Sequence, residues 1–219
     1  MKVIKQSFNG INTIGLYGFI TDKFALLGPQ VPQKQAEELE KLFGVPVIKT
    51  TIAGTSLLGV FLAGNEEKII VPSIAFDHEI KKLKELAEVE VIDTIHTCLG
   101  NNVLILPQKI IMNPDLEKSK IEQIEKFFDK KALQMTLSQN TSVGSLGVVQ
   151  KNNILITHDL AFEEKEMLKE MGLNLTTGTV NMGSPYIKAG LLVNKNGLAI
   201  GKDSGGPELV NAETALKNE

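Results

Sequence analysis

The sequence has no tryptophan, two tyrosines, three histidines and one cysteine, Cys98. A lone cysteine cannot close an internal disulfide, so burial must hold the chain, and a reducing cytoplasm is the expected setting. With no Cys pair and no two histidines at helical ligand spacing, a zinc site is excluded and no cofactor is expected. Excess positive charge is missing as well: 23 basic residues face 26 acidic ones, for a net charge of −3. Affinity for bare nucleic acid rests on clustered Lys and Arg, and nine Phe and two Tyr offer few stacking platforms. A general RNA-binding scaffold is therefore disfavoured, and an acidic surface suits a basic protein partner better. No apolar run reaches about 18 residues and no charged-then-apolar leader opens the chain, so neither a membrane span nor a secretory signal is expected. The sequons at Asn140 and Asn174 are then chance matches.

What the chain does have is a repeat. Residues 47–59 copy residues 3–15: Val3, Ile4, Lys5, Ser7, Gly10 and Gly15 sit opposite Val47, Ile48, Lys49, Thr51, Gly54 and Gly59. Each copy reads as a β-rich run, a glycine where the backbone bends or approaches closely, and a second β-rich run. A hairpin turn, a short strand and an amphipathic helix follow. The helix over residues 33–43 carries Ala36, Leu39, Leu42 and Phe43 as one stripe, with Gly44 placed to cap it. Further helices are expected from about Asp77, after Asn113-Pro114, after Asp159, and near residues 207–216. Aligning Gly15, Gly59, Asn102, Gly147 and Gly190 yields five units, approximately 1–44, 45–88, 89–131, 132–174 and 175–219.

In units one to four the helix is followed by a strand that opens the next unit. The fifth lacks such a strand, and residues 3–7 are its copy. An α/β ring closed by the N-terminal strand follows, a single domain over 1–219 without exposed sheet edges.

Active-site patterns are weak. His96 and Cys98, two apart, would share a face on a strand and could pair as base and nucleophile, although a free Cys is more often a small core residue. His78 and His158 read as helix-terminal residues. Gly201-Lys-Asp-Ser204 fits a polar turn or cap better than a phosphate loop. The small polar pairs Asn9-Gly10, Gly54-Thr55, Gly100-Asn101, Gly144-Ser145 and Gly183-Ser184 occupy equivalent positions, so fivefold symmetry would gather them at one end of the ring, on a flat face for docking a partner.

These segments carry a family resemblance. Thr51-Ile-Ala-Gly54 with Leu58-Gly59, Ala63-Gly-Asn65 with Val71-Pro72, Leu99-Gly-Asn101, Val143-Gly-Ser145 and above all Gly178-Thr-Val-Asn-Met-Gly-Ser184 resemble the archaeal and eukaryotic translation initiation factor 6 family, the ribosomal anti-association factors. The resemblance covers essentially the whole chain. It implies the pentein fold, a five-fold pseudosymmetric α/β propeller. It also implies a monomer without chemistry that binds the large ribosomal subunit on its intersubunit face, against a uL14-type ribosomal protein near the sarcin–ricin loop, and so prevents subunit joining. Asn101 matches a ribosome-facing family residue; Leu99, Gly100, Gly54, Thr55, Gly144, Ser145, Asn181 and Ser184 join it as expected contacts. Val60 stands where many eukaryotic members have Arg, and the end at Glu219 lacks their extended tail, which fits an archaeal-type member. The competing class is a pentein-type enzyme that modifies guanidino groups. Such enzymes use a late Cys nucleophile with a His, whereas Cys98 here lies in unit three and the last unit has neither residue.

Overall fold

The computed structural model describes residues 1–217. It contains fifteen strands: β1 (Lys2–Gln6), β2 (Gly18–Ile20), β3 (Ala25–Leu27), β4 (Val47–Lys49), β5 (Ala63–Gly64), β6 (Lys68–Pro72), β7 (Glu88–Ile92), β8 (Val103–Ile105), β9 (Lys109–Met112), β10 (Lys131–Gln134), β11 (Gly147–Gln150), β12 (Asn153–Thr157), β13 (Asn174–Gly178), β14 (Leu191–Val193) and β15 (Gly197–Gly201). They form five three-stranded sheets, ordered β2-β3-β4, β5-β6-β7, β8-β9-β10, β11-β12-β13 and β14-β15-β1. Each sheet is an inner hairpin plus one outer strand laid parallel to its middle strand. The middle strands are apolar runs; every residue of β15 is buried.

Five helices lie outside: α1 (Gln33–Phe43), α2 (Asp77–Lys84), α3 (Lys118–Phe128), α4 (Phe162–Glu170) and α5 (Gly206–Leu216). The stripe expected on α1 is buried, in one cluster with Leu192 and Ala199 of the fifth sheet, and Gly44 caps the helix in the left-handed region at φ 63°. Helix α3 begins four residues later than Asn113-Pro114 suggests. The Asn113 side chain is spent on Asn102 Oδ1 (2.7 Å) and on the Asp115 amide (2.8 Å), which ties the segment to the ring instead of opening a helix.

Ring closure follows the sequence expectation. β1 pairs with β15 in parallel from Lys2–Gly197 to Gln6–Gly201. Asn194 Nδ2 donates to Thr21 O (3.2 Å) and Phe43 O (3.0 Å), and the Lys195 amide donates to Asp22 (2.8 Å), joining the last unit to the first.

At the centre the structure departs from the β-only reading of residues 11–20 and 55–62. Single helical turns stand there, Ile14–Tyr17 and Leu58–Phe61, with counterparts at Leu99–Asn102, Val143–Ser145 and Ile187–Gly190. The first residue of each (Ile14, Leu58, Leu99, Val143, Ile187) is fully buried. The second is Gly15, Gly59, Gly100 and Gly144, and then Lys188. A Cβ on Gly59 would overlap the Gly15 carbonyl, one on Gly100 the Gly59 carbonyl, one on Gly144 the Gly100 carbonyl, and one on Gly15 the Lys188 carbonyl. Backbone therefore packs on backbone around the axis, and glycine is required there by contact rather than by dihedral angle. This places Lys188, not Gly190, opposite Gly15.

Candidate functional site

The strand directions define two ends. Each inner hairpin turns at one end, near residues 21–24, 65–68, 106–109, 150–153 and 194–197, where the exposed side chains are charged or polar, among them Lys23, Glu67, Gln108, Lys109, Lys151 and Asn152. The parallel outer strands carry the chain to the opposite end, which holds the helix N-termini, the central turns and the loops near residues 8–13, 51–57, 94–98, 136–142 and 179–186.

Large apolar side chains exposed to solvent gather at this loop-bearing end. Ile11, Ile74, Phe76, Ile95, Phe162, Met182 and Tyr186 all lie there; Val210 on α5 is the other one among the described residues. Ile95 and Met182 are 84% and 82% exposed. Isolated exposed apolar residues are ordinary, but their confinement to one end of a ring marks an interaction face.

Carboxylates at the helix N-termini hold the loops of this face, and one of them, Glu79, is buried. Glu79 in the first turn of α2 is 1% exposed. It accepts hydrogen bonds from Thr51 Oγ1 (2.5 Å) and from the amides of Ala53 (2.8 Å), Phe76 (2.9 Å) and Gly54 (3.0 Å). Glu208 in α5 repeats the arrangement with Thr179 Oγ1 (2.7 Å) and the amides of Gly205 (2.7 Å), Gly183 (2.9 Å) and Met182 (3.2 Å). Burial works to raise both carboxyl pKa values, but these hydrogen bonds outweigh it and hold them below the ordinary value. Glu164 binds the Ser138 and Ala161 amides, and Glu117 accepts from Thr94 Oγ1, the largest cause of its own lowered pKa. The clasped loops contain left-handed residues, Ala53 at φ 50° and Met182 at φ 63°, and the N–H of each and of the glycine after it donate to the same carboxylate, a concavity that suits an anion. No sequence pattern used above singled out these glutamates; for Glu79, Glu164 and Glu208 a Glu at the third helical position is the signal that could have done so.

The expected contact residues fall into two groups. Gly54 is exposed and Thr55, Asn101, Asn181 and Ser184 are partly exposed on the loop-bearing end, and the Asn101 side chain makes no hydrogen bond among the described residues. Its neighbour Asn102 is buried, donating to Cys98 O (2.9 Å) and accepting from Asn113. Leu99, Gly100, Gly144 and Ser145 point inward instead, and full burial of Leu99 removes its side chain from any contact surface. The five small polar pairs are thus not equivalent. Asn9-Gly10, Gly54-Thr55 and Gly183-Ser184 sit in outer loops, while Gly100-Asn101 and Gly144-Ser145 sit in central turns. Glycine thus serves two different purposes, turning the outer loops of units one, two and five and allowing contact in the central turns of units one to four, and the spacing alone merged them.

The His96–Cys98 pair forms no catalytic arrangement. Both residues lie in a loop rather than on a strand; His96 Nε2 contacts Asp115 O (3.0 Å), and Cys98 is half-buried. Among the described residues no group of three His, Cys, Asp or Glu side chains could hold a metal ion. No helix there is long and apolar enough to cross a membrane.

Five sheet-and-helix units around an axis define the chain as an α/β protein of the pentein fold. Solved structures share that architecture at low identity. An arginine dihydrolase, ArgZ, of the ornithine-ammonia cycle in cyanobacteria superposes with a TM-score of 0.52 and 13% identity, covering 75% of this chain and 29% of that one. A DDAH from Pseudomonas aeruginosa superposes with a TM-score of 0.51 and 8% identity, covering 90% and 74%. This likeness is one of fold alone.

Sequence places the chain more narrowly: the eIF-6 family model matches residues 3–215, and the chain belongs to that family. It is 32% identical to translation initiation factor 6 of Sulfolobus acidocaldarius over 224 residues and the full length of both. With that of Nanoarchaeum equitans it shares 32% over 215 residues, 97% of this chain and 99% of the other. The chain is a translation initiation factor and not an enzyme.

Proposed function

We propose that the loop-bearing end docks on the intersubunit face of the large ribosomal subunit and that the bound ring blocks the small subunit sterically. The observation that carries this reading is the confinement of exposed Ile11, Ile95, Met182, Tyr186 and their neighbours to the end where Asn101 also lies. A uL14-type protein near the sarcin–ricin loop is the partner that the family resemblance implies, and a net charge of −3 suits a basic one. The blocking is excluded volume: a 23.9 kDa ring occupies space that the other subunit needs, and no chemistry enters. The factor acts as a monomer, as one domain, in the cytoplasm.

Cosedimentation with purified large subunits, together with a subunit-joining assay, tests the reading. Asn101→Arg, in a central turn, and Ile95→Asp, at the most exposed apolar side chain, should each weaken binding about tenfold or more, because both alter this face without disturbing the core. Lys109→Asp, at the opposite end, should leave binding unchanged. Undiminished joining at saturating protein, or equal losses from both ends, would overturn the proposal.

A further inference from the structure

The ring is not solid along its axis. A cavity of about 160 Å³ runs between the inner strands, lined among others by Ile20, Ile105, Val148 and Val149, which keep some accessible surface. Toward the hairpin end it shares Ile20, Gly64, Ile105, Val149 and Val193, one residue from each inner strand, with a wider polar mouth. Toward the loop-bearing end the central turns close it, and Lys188 lines it there. The axis is therefore a blind pocket entered from the end away from the docking face.

Lys188 fills the position that glycine holds in the other four units, and its side chain crosses to another central turn. Nζ donates to Gly100 O at 2.6 Å. An ammonium carries three donors, and this is its one acceptor among the described residues; no carboxylate pairs with it there. The residue keeps some accessible surface, in keeping with its lining the pocket, while burial pushes its pKa down to about 8. An incompletely partnered cation at the base of a cavity lined by glycine backbone and aliphatic residues is costly unless an anion or polar group meets it.

We propose that this axial pocket binds a small aliphatic monocarboxylate, its carboxylate on the Lys188 ammonium and its alkyl chain against the inner-strand side chains. A single cation favours a monoanion over a phosphate dianion. Apolar walls favour an alkyl chain over a bare halide. A cavity near 150 Å³ accepts a benzene-sized guest, so about six heavy atoms fit, the size of butyrate. An organic cation is repelled by the ammonium, which separates this pocket from one built for a guanidinium group. The site lies outside the proposed docking face, and its occupancy does not depend on ribosome binding.

The test uses the full chain at pH 7, titrated calorimetrically with sodium butyrate, n-butylammonium chloride and sodium chloride. Butyrate should bind saturably with a millimolar or tighter Kd, within reach of a six-atom ligand. Neither butylammonium nor chloride should do so. Lys188→Met keeps the length of the side chain and should weaken butyrate binding at least about tenfold. In wild-type protein, NMR titration of the Lys188 side chain should show its pKa rising when butyrate is present, a readout that needs no variant. Absence of saturable binding, equal binding by Lys188→Met, or an unmoved Lys188 pKa would overturn the proposal.

Discussion

Replacing Glu79 with glutamine keeps the size and shape of the side chain and removes only its charge and half of its acceptor capacity. The carboxylate lies 1% exposed and receives four hydrogen bonds, three of them from backbone amides that no other group reaches. A glutamine carbonyl can accept two of the four, and its NH₂ group is turned against the remaining donors. Two buried donors are then unsatisfied at about 1–3 kcal/mol each, and with some relaxation the loss is about 3 kcal/mol. For a chain of this length the melting temperature should fall by about 6–12 °C. The effect also has a pH signature. Because the folded-state pKa lies below the ordinary 4.5, the stabilisation is complete above that value and disappears as pH falls through the folded pKa. Denaturant unfolding of wild type and Glu79→Gln at pH 7 should show the full gap, and the two curves should converge as pH falls below 4.5 and through the folded pKa. Amide exchange at Ala53, Gly54 and Phe76 should accelerate selectively. A stability gap under about 1 kcal/mol, or one that does not change with pH, would refute the clasp.

Other consequences follow from the ring centre. Gly59→Ala puts a methyl group into the Gly15 carbonyl and should cost at least about 3 kcal/mol, whereas Gly10→Ala, with open space around it and φ at +83°, should cost about 1 kcal/mol; denaturation midpoints distinguish them. Lys188 titrates near 8 when folded against an ordinary 10.5, so the unfolded chain holds its proton more tightly between those values and stability should rise with pH across that window by up to about 3 kcal/mol. Lys130, also lowered by burial, contributes in the same sense. Lys188→Met should lose the larger part of that rise, and an unchanged slope would show that the ammonium is solvated.

Periodicity carried much of the architecture. Helix α1 was legible to the residue because an apolar stripe and a capping glycine bound it, and the place of β1 followed from a missing copy at the far end. The central turns were not legible. A single helical turn has too few residues for a 3.6-residue period to stand out from strand alternation, so residues 14–17 and 58–61 read as β. The clasping glutamates were hidden for another reason: Glu79 and its partner loop lie some 25–28 residues apart, and the charged residue resembles any other on a solvated helix.

The sequence by itself determined the fivefold plan, the α/β class and the family, since these depend on patterns that repeat along the chain. Only the tertiary structure decided which of two adjacent asparagines faces outward, which glycines serve contact and which serve curvature, and that a lysine occupies the fifth glycine position. Those outcomes depend on what a neighbouring unit presses against each residue, and a neighbour across the ring leaves no mark in local sequence.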